Sequence, residues 1–266
     1  ILSSWFVEKR KMKKRKRAAK DELFPKKLLA QLEELAGRSR TPMTLKQVVE
    51  QLGKALGRTP SEELVELALK RCPAFAKAKS NKFVTRESLL NGAVLRIAPT
   101  CQEIVRGILI PGHRLLPLWW GKSTESIKAF DPDGTPIPLV KWRMSFADAF
   151  PFHYLLGYNW VPDFAASCKG KELAEEFELP VFAMGDFYKK YKFNKGDFLL
   201  AEIADAWEKR VVFRKETKEE VLSKIVRIRS SEVALEKAFL RILNDPTVLW
   251  SIPEQLFHAM AQAPNY

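Results

Sequence analysis

Over residues 23–88 apolar positions recur first at helical spacing and then in a short hairpin pattern. Leu28, Leu29, Leu32, Leu35 and Ala36 fall at i, i+3, i+4 and i+7, which predicts an amphipathic helix ended by Gly37. Thr44 is the expected N-cap of a second helix running through Leu56, with Leu45, Val48, Val49 and Leu52 inward and Gly57 at its end. Ser61 follows Pro60 and precedes Glu62 and Glu63, the chemistry of a third helix start. Leu64, Leu67, Ala68 and Leu69 supply the apolar face of that helix. Phe75 and Ala76, a polar tip, then Phe83 and Val84 predict a two-stranded wing.

Beyond residue 92 the period changes to two. Val94, Leu95 and Ile97 predict a strand, and residues 104–110 a second one stopped by Pro111 and Gly112. Residues 127–130 and 137–142 flank DPDGTP, a hairpin turn centred on Asp133 and Gly134. An excursion over 145–178 carries Phe146, Phe150, Phe152, Tyr154, Tyr158, Trp160 and Phe164, with 169–176 expected to be helical. Such clustered aromatics, like Trp119 and Trp120, are more often core than a base-stacking platform. Residues 179–214 then read as apolar strand, short basic helix, a turn at Asn194, Lys195, Gly196 and Asp197, and two further strands. One amphipathic helix is expected over 216–244, with Val221, Ile225, Ile228, Val233, Leu235, Phe239 and Leu243 on its inner side. A short helix over 252–261 closes the chain. The expected class is α+β: a flexible arm (1–20), a first domain (21–90), a second mostly β domain (91–215) with the excursion at 145–178, and C-terminal helices (216–266).

Charge sharpens this picture. The 266 residues carry 45 Lys/Arg against 32 Asp/Glu, a formal net charge of +13. Residues 1–20 hold nine Lys/Arg against Glu8 alone, residues 21–90 hold thirteen against nine, and the remainder is close to neutral. A polyanion is the natural partner of such a field, because Lys/Arg contacts release counterions condensed on phosphates. Lys9, Arg10, Lys11, Lys13, Lys14, Arg15, Lys16 and Arg17 lack the interleaved apolar residues that insert into lipid, so nucleic acid is favoured over membrane. In a eukaryotic cell the same run would pass for a nuclear-import signal.

Cys72, Cys101 and Cys168 are odd in number and widely spaced, which argues against a disulfide framework or zinc site and for a reducing compartment, cytoplasmic (nucleoid) or nuclear. His113, His153 and His258 show no metal-ligand spacing. P-loop, dinucleotide, G-x-S-x-G and HExxH templates all fail, so no cofactor, metal or catalytic group is expected. An active site, if one existed, would be sought around His153, Tyr154 and Asp163.

Three helices followed by the hairpin FAKAKSNKFV resemble a winged helix-turn-helix of the HARE-HTH type, over about 23–90. That resemblance implies DNA contacts from the wing, and Lys77, Lys79 and Lys82, with Arg58 before the third helix, are the matching cations. Glu62, Glu63 and Glu66 face phosphates poorly, so backbone contact by the wing is expected over groove reading by that helix. Residues 95–215 resemble the plant-type B-three DNA-binding pseudobarrel: a strand ending in Ile110-Pro111, a hairpin at 131–141, and a strand, basic helix and Gly196-Asp197 turn at 181–197. In that family two arms grip DNA. The matching stretches are 100–106 and 143–178, and Arg96, Arg106, Lys141 and Arg143 are the candidate contacts. The expected function is DNA binding without catalysis, in transcription or on the chromosome. RNA binding through the same charges is one alternative. A protein-interaction or scaffold subunit, for example one associated with RNA polymerase, is another. The helix at 216–244 is a candidate surface for a protein partner or self-association.

Overall fold

A computed structural model describes residues 26–115, 118, 127–145, 176–244 and 252–263. The chain divides into two compact units, Ile1–Ser88 and Leu89–Tyr266. Helices and strands are both abundant, and the α+β class expected from the sequence is borne out.

The first unit contains α1 (Lys26–Arg38), α2 (Leu45–Leu56) and α3 (Glu62–Leu69), then the hairpin β1 (Phe75–Lys77) and β2 (Phe83–Thr85). Thr44 and Gln47 form a reciprocal capping box on α2, and Gly57 ends it at φ +69°. Ser61 Oγ accepts the Leu64 N–H, capping α3 as the sequence indicates. The hairpin pairs Phe75 with Thr85 and Lys77 with Phe83. Met43, just before α2, exchanges both backbone hydrogen bonds with Phe83, which ties the hairpin to the helices. Leu32, Val48, Leu52, Val65, Leu69, Phe75 and Phe83 meet in one core, each worth roughly 1.5–3 kcal/mol on burial. One expectation is corrected here. Leu67 is 45% exposed, and Val65 takes the inner position instead.

The second unit contains, in order, α4 (Arg86–Leu90, crossing from the first), β3 (Val94–Ile97), α5 (Cys101–Arg106), β4 (Ile108–Leu109), a 3-10 turn (Gly112–Leu115), β5 (Lys128–Phe130), β6 (Pro136–Ile137), β7 (Leu139–Ser145) and β8 (Glu176–Ala183). After these come α6 (Gly185–Lys190), β9 (Phe198–Asp205), β10 (Arg210–Glu216), α7 (Lys218–Ser223), α8 (Ile225–Leu243) and α9 (Ile252–Gln262). One sheet has the order β3-β9-β10-β5-β6 and the other β4-β8-β7. β5 and β10 run parallel, whereas the neighbouring pairs are antiparallel. Strict alternation along β9 buries Leu199, Ala201 and Ile203. These meet Leu109 and Phe182 from the second sheet, so both sheets contribute to one core. Phe182 packs edge-on against Phe213 with ring centroids 5.5 Å apart.

Three further corrections have simple causes. The strand expected over 104–110 is confined to Ile108–Leu109, and residues 104–106 are helical, because a Thr100–Glu103 capping box starts α5 and Gly107, at φ +67°, ends it. The excursion is shorter than 145–178: Ser145 pairs with Glu176 and Arg143 with Glu178, so its ends belong to the β7–β8 ladder and residue 176 is in a strand. Its aromatic residues lie outside the described residues. The helix expected over 216–244 is two helices: Glu216 ends β10, Thr217 caps α7, and Lys224, at φ −108°, separates α7 from α8. Within α8 Ala238 and Ile242 are buried, while Val233 and Leu243, expected on the inner side, are 44% and 51% exposed. No helix among the described residues is long and apolar enough to cross a membrane.

Candidate nucleic-acid interface

The wing owes its shape to alternation and to a tight tip. Phe75, Ala76, Phe83 and Val84 are buried, which leaves Lys77, Lys79 and Lys82 exposed around the end of the hairpin. Ala78 N–H donates to Lys82 O at 2.7 Å, and Asn81 adopts φ +58° to close the turn. Lys77 Nζ lies 3.7 Å from Glu66, which also has Lys70 at 3.6 Å. Among the described residues Lys79 and Lys82 belong to no ion pair. Arg58 is exposed directly after the left-handed Gly57. Glu62 and Glu63 stand exposed in the first turn of α3, so that helix presents negative charge at its start. The cations at 9–17 lie outside the described residues.

In the second unit several predicted cations are already engaged. Arg96 makes two hydrogen bonds to Glu216, at 2.6 and 3.2 Å, and Lys224 Nζ reaches the same carboxylate at 3.1 Å. Burial works to raise the Glu216 carboxyl, but the hydrogen bonds from Arg96 and Lys224 outweigh it and hold the group below the usual range. Arg96 therefore fastens edge strand β3 to the end of β10, a role its sequence position does not announce. Lys141 and Arg143 are exposed on one face of β7, and both face Glu178 on β8, at 3.9 and 3.4 Å. Arg106 sits in the last turn of α5, where a cation suits the helix dipole.

The stretch 100–106, which the resemblance matches to one of two DNA-gripping arms, is held by a buried carboxylate. The fully buried carboxylate of Glu103 accepts the Thr100 and Ile110 N–H groups, both at 2.8 Å, and the Arg114 guanidinium at 3.0 and 2.9 Å. Its lone pairs are consumed, which suits a structural anchor and not a proton-transfer group. Asp131 is a second anchor. One oxygen accepts the N–H groups of Asp133 and Thr135, and the other takes Lys190 Nζ at 2.6 Å and the Tyr191 hydroxyl at 3.2 Å. Burial would raise this carboxyl, yet the Lys190, Thr135 and Asp133 hydrogen bonds hold it at about 2. The turn acid foreseen at Asp131 thus also ties the β5–β6 hairpin to the end of α6.

A cationic cluster that sequence reasoning passed over surrounds the Gly196 turn. Lys215 Nζ is drawn inward to the Lys192 carbonyl at 2.7 Å and to Asp197 at 3.0 Å. Asp197 in turn accepts the Asn194 N–H at 2.7 Å. Gly196 has φ +96°, and the Lys218 side chain runs 3.7 Å from where its Cβ would stand. Lys189, Lys192, Lys195 and Lys218 are left exposed in this stretch, and among the described residues none of the four belongs to an ion pair. The run KKYKFNKG contained the signal; only knowledge of which lysine turns inward identifies the free ones.

Metal chemistry has no foothold among the described residues, where no three His, Cys, Asp or Glu side chains gather as a ligand set. Compared with known protein families, with curated proteins and with solved structures, the chain matches none.

Proposed function

We propose that this chain is a non-enzymatic protein that binds duplex DNA, in transcription or chromosome maintenance. In this reading residues 23–90 act as a winged helix of the HARE-HTH type and 95–215 as a B-three-like pseudobarrel. The observation that carries it is the wing: three lysines stand exposed on a hairpin locked to its helices by the Met43–Phe83 exchange. Such a hairpin presents charge at fixed spacing and loses little entropy on meeting a phosphate backbone. Arg58 and the basic arm at 9–17 add sequence-independent attraction, and the lysines around Gly196 offer a second contact region.

Exposed Glu62 and Glu63 at the start of α3 favour a second reading, in which that helix docks a basic protein surface within a nucleic-acid-processing complex. A salt titration separates the two. Under the DNA reading, duplex affinity falls steeply between about 50 and 200 mM salt. Replacing Lys77, Lys79 and Lys82 by Ala lowers the log–log slope by about 2–3, close to 0.9 for each lost contact. If that triple variant keeps the parent slope, and weak sequence-blind binding vanishes once residues 1–20 are deleted, the scaffold reading replaces it.

A further inference from the structure

Helix α8 has two apolar faces, and only one of them is used. Ala238 and Ile242 are buried against Ala259 of α9, with Leu235 and Phe239 beside them. On the other face Val226, Val233 and Leu240 are 80, 44 and 47% exposed. They stand seven residues apart, so two turns bring each back to nearly the same side. At about 100° per residue this stripe falls opposite Ala238 and Ile242. Arg229 and Glu236 lie together on one flank of it, both exposed, and among the described residues neither belongs to an ion pair.

We propose that the stripe docks against the same stripe of a second copy of this chain, with the two α8 helices antiparallel and the two-fold axis beside Val233. The charges select both the occupant and its direction. In an antiparallel pair, a residue some number of positions before Val233 stands level with the other copy's residue the same number after it. Val226 then meets the other copy's Leu240. Arg229 lies four positions before the axis and Glu236 three after, so the two differ in level by one residue, about 1.5 Å. A two-fold axis perpendicular to the helices sets like flank against like flank. Both Arg229–Glu236 contacts therefore form at once, across the seam. Parallel packing has its two-fold axis along the helices and would instead set this flank against the opposite one, where Ser230 and Lys237 stand exposed, so that neither Arg229–Glu236 contact forms. A single pair of 19-residue helices buries less than the roughly 800 Å² per partner of a standard interface, so affinity in the micromolar range is expected. This surface is independent of the nucleic-acid reading.

Sedimentation of the full chain tests it by charge exchange. The parent is expected to be dimeric at about 100 μM. Arg229→Glu and Glu236→Arg should each weaken self-association by about tenfold or more, because two like-charge contacts replace two attractive ones. An equimolar mixture of the two single variants should associate with each other, and the double exchange Arg229→Glu/Glu236→Arg should restore the parent dimer. All these positions are exposed, and unchanged circular dichroism establishes that each variant is folded. A parent chain that stays monomeric at about 200 μM overturns the proposal and assigns the stripe to a different protein. Single variants that self-associate like the parent overturn it equally.

Discussion

Asp131 shows how much one side chain can hold: two backbone N–H groups of its own turn, plus Lys190 and Tyr191 at the end of α6. Its carboxyl stands at about 2 against an ordinary 3.8, so the proton binds more tightly in the unfolded chain. The stability this adds is complete above pH 3.8 and is lost as pH falls through about 2. An Asp131→Asn variant should lack that segment of the acid dependence while following the parent slope near neutrality; urea unfolding across a pH series measures it. The turn role of this Asp was readable from DPDGTP, and so were the caps Thr44 and Ser61, because each acts within four residues of itself. The partnership of Arg96 with Glu216 was not. It spans 120 positions, and an arginine on an edge strand looks the same whether it meets a phosphate or a buried carboxylate.

The same contrast holds for elements. In the first unit, period and caps agree, and three helices and a hairpin emerge where they are expected. α5 and the α7–α8 break were hidden for different reasons. Ile104 to Ile110 is too short an apolar run to separate helix from strand, and the capping box that decides it lies upstream of the run. Over 217–243 both faces carry apolar residues, so a continuous helix and a broken one fit the pattern equally well. The crossing of α5 and α6 gives a direct test. Gly107 has φ +67°, and a Cβ there would stand 2.9 Å from the Gly185 Cα, whereas Gly134, at φ +84°, has open space around it. Gly134→Ala should cost about 1 kcal/mol of backbone strain alone. Gly107→Ala should cost about 2–3 kcal/mol, since two main chains must also separate. Urea midpoints of the two variants, compared at equal slope, give the difference.

At the scale of the molecule, the two units differ in how far apart their partners lie along the chain. Contacts of the first unit are mostly between neighbours, α1 with α2 and β1 with β2, whereas β3 pairs with β9 and β5 with β10. A chain ending at residue 205 lacks β10 and should leave the second unit unfolded while the first keeps its core. Hydrogen exchange would then report protection at Val48 and Val65 and none at Ala129 and Ile203. The charge asymmetry runs the same way, since the cationic third of the sequence precedes the nearly neutral remainder. The parallel alignment of β5 with β10 has a consequence for biosynthesis. Lys128–Phe130 leave the ribosome some eighty residues ahead of Arg210–Glu216, the strand that completes their hydrogen bonding. Throughout that interval one side of β5 is an unsealed strand edge, the kind of surface that holdase chaperones occupy and that nascent chains use to entangle one another.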